Sequence, residues 1–228
     1  MLSQTEHARA IRSFVTRAGR ITPAQVRALE TLWPKYGVDS DGLIDLDALF
    51  GRRADRVAEI GFGNGENLIA LAQAHPERDF LGIEVHRPGV GRLLLQLEQR
   101  GLGNVRVVCD DAVQVLQHRL AGACLDEVLI LFPDPWPKKR HHKRRLIQPD
   151  FVRLLAERVK SGGTLRLATD WEPYAQEMLV HLSAEPRLRN LAPQGGFVPR
   201  PEERQATRFE RRGERLGHAV WDLAFGRA

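Results

Sequence analysis

Cysteine is nearly absent: Cys109 and Cys124 are the only two among 228 residues. Two cysteines exclude a disulfide scaffold, and theirs is not the spacing of a metal site. No apolar run approaches the ~18 residues of a membrane span. Ser3 to Arg12 is polar, without a signal peptide's apolar core. A reducing cytoplasm is therefore the expected compartment, and no membrane is expected as a partner. Internal repeats and low-complexity tracts are missing too. Acid is sparse before Glu30, while Arg9, Arg12, Arg17, Arg20 and Arg27 recur there.

Apolar residues make up 43% of the chain, enough to build a sizeable core. The formal net charge of +5 favours an anionic partner without saying which.

Residues 1–51 are expected to form a basic extension packed on a main domain of residues 52–228. Thr22-Pro23-Ala24-Gln25 predicts a helix start: Thr22 as N-cap, Pro23 at the first helical position, Gln25 closing a capping box. That helix is expected to reach Tyr36, with Gly37 as its C-terminal cap. Asp39 to Asp47 reads as a loop before a short apolar turn at Leu46 to Phe50. The arginines of this region suit either a solvated surface or phosphate contact.

From Arg52 onward strands and helices alternate, the pattern of a parallel sheet. Strands are expected at Arg56–Ile60, Phe80–Ile83, Val105–Cys109, Val128–Leu131 and Thr164–Ala168. Helices are expected at Asn67–His75, Arg87–Arg100 and Ala112–Leu120, after Pro149 and after Pro173. Ser161-Gly162-Gly163 should stop the helix that follows Pro149. Leu191 to Pro201 reads as a loop. Thr207–Arg211 and Ala219–Phe225 are expected to close the chain as a hairpin around Gly213 and Gly217.

The most informative stretch runs from Glu127 to Arg145. Val128 to Leu131 is a short apolar run of the kind buried on both faces. Pro133, Pro135 and Pro137 then remove backbone donors and fix φ, which excludes helix and ladder alike. Asp134 should thus sit on a stiff loop just past the carboxyl end of a central strand, where open α/β sheets bind ligands. Six of the eight residues from Lys138 to Arg145 are Lys or Arg. The run suits a solvated face or, beside a rigid acid, contact with a polyanion. Trp136 suits either a packing anchor or a base-stacking platform. His141 and His142 are adjacent, and adjacent histidines seldom share a metal, so none is assigned.

Gly61, Gly63 and Gly65 lie between a strand and a helix, a loop that lets backbone approach a ligand. In the dinucleotide fingerprint Gly-x-Gly-x-x-Gly, the third glycine would fall at Glu66, which argues against a nicotinamide oxidoreductase. Glu84, 23 residues after Gly61, suits hydrogen bonds to ribose hydroxyls. Asp110 or Asp111 can cap the next helix or reach a ligand. With Glu59 and Glu84 they place acids at consecutive strand ends, which suits a sulfonium or ammonium group better than a pyrophosphate.

Several stretches together resemble one family. They are Arg12-Ser13-Phe14, Leu32-Trp33-Pro34, Glu59-Ile60-Gly61-Phe62-Gly63-Asn64-Gly65, Gly82-Ile83-Glu84-Val85-His86, Asp111-Ala112, Phe132 to Arg145, Thr169-Asp170-Trp171 and Thr207 to Gly213. Over nearly the whole chain, and in the same order, these are similar to the bacterial TrmB family of tRNA (guanine-N7)-methyltransferases. The resemblance implies a Rossmann-like methyltransferase fold, mostly parallel with an antiparallel C-terminal strand. It implies S-adenosylmethionine as cofactor and guanosine 46 of the tRNA variable loop as substrate. It also implies cofactor contacts at Glu59, Glu84, Asp111 and Asp134, beside the loop of Gly61, Gly63 and Gly65, with Asp134 as the active-site acid. tRNA contacts are implied for Lys138, Asp170 and the segment Thr207, Arg208, Phe209 and Glu210. Arg140, Lys143, Arg144 and Arg145 would belong to an RNA-facing surface. Guanine N7 carries an in-plane lone pair, so Asp134 is expected to act by electrostatics and position, with Asp170 orienting the base.

Overall fold

The computed structural model describes residues 13–14, 20–39, 42–202, 204, 210 and 219–228. Among these residues seven strands form one sheet: β1 (Arg56–Ile60), β2 (Asp79–Ile83), β3 (Val105–Val108), β4 (Leu125–Leu131), β5 (Val159–Thr169), β6 (Leu188–Asn190) and β7 (Trp221–Arg227). The order is β3-β2-β1-β4-β5-β7-β6. β1 to β5 pair in parallel, and β7 pairs antiparallel with both β5 and β6. This is the expected α/β arrangement, mostly parallel with antiparallel pairing at the C-terminal strand.

Strand parity sorts the core into two layers, because successive side chains leave a strand on opposite faces. Ala58, Ile60, Leu81, Val128 and Ile130 point to one face, under α6 (Ala112–His118), α7 (Pro149–Arg158) and α8 (Glu172–Ser183). Val57, Phe80, Val107 and Leu129 point to the other, under α4 (Glu66–Ala74) and α5 (Arg87–Arg100). Glu59 has the parity of Val57, so its carboxylate is directed under α4.

The N-terminal region caps the β3 edge. Thr22 and Gln25 form the expected capping box, and Gln25 Nε2 donates to the Pro88 carbonyl at 3.1 Å. The single helix expected to Tyr36 is instead two, α1 (Pro23–Thr31) and α2 (Trp33–Tyr36). Pro34 lacks the N–H and would clash with the carbonyl four residues back, so the helix restarts there. Gly37 is not a left-handed cap: it is extended at φ −77°, and a Cβ there would meet the Trp33 ring. Val38 N–H donates to the Val107 carbonyl at 2.9 Å, covering part of an otherwise open sheet edge. The short turn that follows is α3 (Leu46–Phe50), capped by Asp45.

One expectation near the C-terminus is corrected. Ser161-Gly162-Gly163 does not stop α7, which ends at Arg158 before the extended, β-branched Val159. Those residues lie within β5, where a register shift opposite Leu125 and Glu127 absorbs the extra length. The expected closing hairpin has its first arm and turn almost wholly outside the described residues. β5 takes one edge of β7, while β6 and a bridge from Val198 to Asp222 take the other. Of the expected first arm, Thr207 to Arg211, only Glu210 lies inside the described residues.

Candidate active site

Register brings the strand ends level. Ile60 lies beside Ile83 and Ile130, Ile83 beside Val108, and Leu131 beside Ala168. The segments that follow are Gly61, Glu84, Asp110–Asp111, Phe132–Asp134 and Asp170. All therefore emerge on one edge of the sheet, the edge where parallel α/β folds bind ligands.

The glycine loop is a left-handed construction. Gly61, Gly63 and Gly65 have φ of 74°, 58° and 77°. Gly65 is also the N-cap of α4, and a Cβ there would press on Leu93 Cδ1 at 2.6 Å. α5 closes on this loop so tightly that a Cβ on Gly89 would overlap the Gly63 carbonyl oxygen. Glu84 ties the loop to β2. Its Oε2 accepts from Gly63 N–H at 2.8 Å. Its Oε1 accepts from Val85 and His86 N–H at 2.8 and 2.9 Å. Its carboxylate thus already orders the backbone around it.

Glu59 is 3% exposed. Asn67 Nδ2 donates to its Oε2 at 3.0 Å. Burial, reinforced by the charge of Glu84 and opposed by the Asn67 hydrogen bond, pushes the Glu59 carboxyl up to about 7. Asn67 is not among the site residues expected from the sequence. Its signal there is faint: a polar residue in the first turn of α4, on the face turned to β1.

Asp111 realises the capping alternative, its Oδ1 accepting from Val113 N–H at 2.9 Å. Asp110 is exposed, and its Oδ1 accepts from Asp111 N–H at 2.7 Å. Both aspartates line a cleft of about 1060 Å³ that also takes in Ser13, Phe14, Lys143 and Arg144. One opening therefore joins the acids at the end of β3 to the basic turn.

Asp134 is exposed on its proline-rich loop. Flanking it, Phe132 and Trp136 hold φ of 53° and 44°. Such values are unusual for bulky residues and cost roughly 1–3 kcal/mol each, so the surroundings must hold them. Phe132 N–H donates to the Ala168 carbonyl at 2.8 Å. Trp136 takes the anchor's part: its Nε1 donates to the Ser13 carbonyl at 3.2 Å. The Arg144 guanidinium lies 5.0 Å from the centre of its ring, and His141 meets it edge-on. Ser13 therefore docks on the loop, an interaction that has no signal in spacing or composition.

The basic run folds as a 3-10 turn, Lys139–Arg144. Lys138, Arg140 and Lys143 are exposed, and Arg144 is half-buried. Desolvation, then the charges of Arg140, Arg144, Lys138 and Lys143, holds the His141 ring below its ordinary pKa. Arg145 departs from the expected surface. It is 3% exposed, pairs with Glu177, donates from Nε to the Pro135 carbonyl at 2.9 Å and covers the Tyr174 ring at 4.8 Å. The cause lies on α8, which supplies both Glu177 and Tyr174 and draws the guanidinium inward.

Asp170 is half-buried just past β5, where the Thr169 hydroxyl accepts from Trp171 N–H at 3.3 Å. Thr207, Arg208 and Phe209 lie outside the described residues. Glu210 is 1% exposed, with its carboxylate turned to Arg204.

The family described as "Putative methyltransferase" matches residues 53–223. A tRNA (guanine-N(7)-)-methyltransferase of Leifsonia xyli subsp. xyli is 60% identical over 215 residues, covering 94% of each chain. One of Halorhodospira halophila is 58% identical over 219 residues, covering 95% of each. Among solved structures, the 16S rRNA methyltransferase KamB is similar at TM-score 0.58 and 17% identity, over 85% of this chain and 98% of its own. A mutant 16S rRNA (adenine(1408)-N(1))-methyltransferase with cosubstrate SAM, from Catenulisporales acidiphilia, gives TM-score 0.57 at 19% identity, over 84% and 93%. At these identities the structures speak to the fold.

Proposed function

This chain belongs to the tRNA (guanine-N7)-methyltransferase family, and from that premise we propose that it transfers a methyl group from S-adenosylmethionine to N7 of guanosine 46 in the variable loop of tRNA. The observation that carries the reading is the shared cleft. It is lined by Asp110 and Asp111 at a strand end and by Lys143 and Arg144 of the basic turn. A small cationic cofactor and a large polyanion can meet there.

The residues fit the cofactor. Gly61 and Gly63 leave the loop backbone bare, Gly65 fits it against Leu93, and Gly89 keeps α5 from displacing it. Glu59, Glu84, Asp111 and Asp134 would hold the group, with the acids favouring its ammonium and sulfonium charges. Bound there, it would supply an electrophilic methyl group on sulfur.

The remaining work falls to this chain's own residues. Guanine N7 needs no proton removed before it attacks. Asp134, held by the three prolines, would accept guanine N–H groups and stabilise positive charge growing on the purine. Asp170 would help orient the base. Lys138, Arg140, Lys143 and Arg144 would hold phosphates and set register, with tRNA shape selecting the nucleotide. Thr207, Arg208, Phe209 and Glu210 would contribute further to tRNA binding. Arg145, engaged by Glu177, would brace the turn rather than touch RNA. The reaction belongs with its tRNA in the cytoplasm.

The test is transfer of tritiated methyl from S-adenosylmethionine to tRNA, followed by nucleoside analysis. Label is expected in 7-methylguanosine and lost when position 46 is not guanosine. Label in another nucleoside would refute the reading.

A further inference from the structure

On the β5–β7 side of the site, one guanidinium is enclosed by groups from three parts of the chain. Arg204 is 7% exposed, Glu210 1% and Asp222 5%. Arg204 donates in a fork to Glu210, NH1 to Oε2 at 2.6 Å and NH2 to Oε1 at 2.9 Å. NH2 also donates to Asp222 Oδ2 at 3.0 Å, and Nε lies 2.9 Å from Asp222 Oδ1. The guanidinium carbon sits 5.7 Å from the centre of the Phe132 ring. Arg200 NH1 adds a second cation 3.3 Å from Glu210 Oε1.

These partners are not equivalent. Asp222 is on β7, level with Ala168 of β5. Phe132, on the other side, donates its N–H to that same Ala168. Phe132 opens the loop of Asp134 at a φ of 53°, so a turn about its backbone would swing Pro133 and Asp134. Glu210 ends the segment Thr207 to Glu210. A brace for the sheet alone would need only Asp222. The fork to Glu210 and the approach to the Phe132 ring tie the sheet to a second carboxylate and to the loop of Asp134.

We infer that Arg204 is a positioning residue that locks Glu210 and the Asp134 loop into one geometry at the end of β5. This rests on the proposed tRNA methyl transfer. Arginine suits the task because its planar fork engages two carboxylates and a ring together, whereas an ammonium is a point charge. The Glu210 carboxylate then contributes to tRNA handling through Arg204, which it faces.

The test is a double-mutant cycle on the full chain with Arg204→Lys and Glu210→Gln. It reads melting temperature, cofactor and tRNA dissociation constants, and single-turnover methyl transfer at saturating tRNA and cofactor. Arg204→Lys is expected to keep cofactor affinity within about twofold and to slow transfer roughly 10- to 100-fold, the scale of a misplaced reacting group. Because both residues act through one shared fork, the double variant should be no slower than the slower single. Asp222→Asn should shift the same rate in the same direction, and it replaces Arg204→Lys in the cycle if that variant melts below the assay temperature. A wild-type rate in Arg204→Lys, losses that multiply in the double variant, or cofactor affinity falling in parallel with rate would overturn the inference. A wild-type chain that leaves tRNA unmethylated would overturn the functional reading, and this inference with it.

Discussion

Asn67 holds Glu59 by a 3.0 Å hydrogen bond inside the layer between β1 and α4. The carboxyl there is pushed up to about 7, chiefly by burial. In the unfolded chain an ordinary glutamate titrates near ~4.3. Between those values the native state holds the extra proton, so this contribution to stability is fully present below the lower value. It is lost as pH rises through the upper one. Glu59→Gln should therefore stabilise the protein at pH 8, by on the order of 3 kcal/mol at most, and leave it unchanged near pH 4. Thermal melts of both proteins across that range check it; curves that stay parallel would dissociate Glu59 from the effect.

The closeness of α5 to the glycine loop makes a second prediction. A Cβ on Gly89 would meet backbone, the Gly63 carbonyl, which cannot rotate away. Gly89→Ala should cost about 1–3 kcal/mol through overpacking. By displacing the loop it should also weaken S-adenosylmethionine at least about tenfold, since 1.4 kcal/mol is a factor of ten. Gly103→Ala, where a Cβ would meet nothing within 4 Å, is the control and should change neither. Calorimetric titration of the two variants separates them; equal affinities would mean the loop tolerates the shift.

The basic turn divides into two kinds of arginine and lysine. Replacing Lys138, Arg140 and Lys143 together with Ala should weaken tRNA binding and make the logarithmic salt slope shallower by roughly 0.7–0.9 for each phosphate no longer neutralised. Cofactor affinity and melting temperature should hold. Arg145→Ala should do the reverse. It leaves Glu177 without its buried partner, costs roughly 3 kcal/mol, and changes the salt slope little. Binding titrations at several salt concentrations, paired with melts, test the division. An unchanged slope in the triple variant would make those residues a solvated face.

How far the sequence reaches depends on where its information is local. α5 is predicted to the residue because Pro88 marks its start, Gly101 its end, and Leu93, Leu94 and Leu97 lie along one face. β1 is equally plain as an apolar run before glycines. The proline loop is legible because proline acts on its own backbone. Pairings between distant segments leave no such mark. Arg145 reads as one more surface cation because the residues that draw it inward, Tyr174 and Glu177, are about thirty positions away. Arg204 has no local signal at all. The register shift in β5 stays hidden because Ser161-Gly162-Gly163 looks like a helix stop whether or not a strand continues through it.

Asp134 carries the prediction that separates chemistry from binding. Its loop is fixed by three prolines, leaves β4 beside Ala168, and adjoins the basic turn. Asp134→Asn keeps size and one acceptor oxygen but loses the charge. If the carboxylate stabilises charge growing on guanine, the variant should lose turnover far more than tRNA affinity. Loss of one preorganised electrostatic partner costs roughly 10²–10³-fold in rate. If Asp134 instead had to take a proton, the wild-type rate would climb with pH. N7 attack requires no such transfer, so the profile should be nearly flat from about pH 6.5 to 8.5, since carboxylates ordinarily titrate well below that range. Glu59, at about 7, titrates inside that window and is a proposed cofactor contact. The measurement must therefore be single-turnover transfer at saturating cofactor and tRNA, where a change in cofactor affinity does not register. A rising wild-type profile that Asp134→Asn abolishes under those conditions would make Asp134 a base. Equal rates in wild type and Asp134→Asn would remove it from the chemistry and leave the loop as the stop of β4.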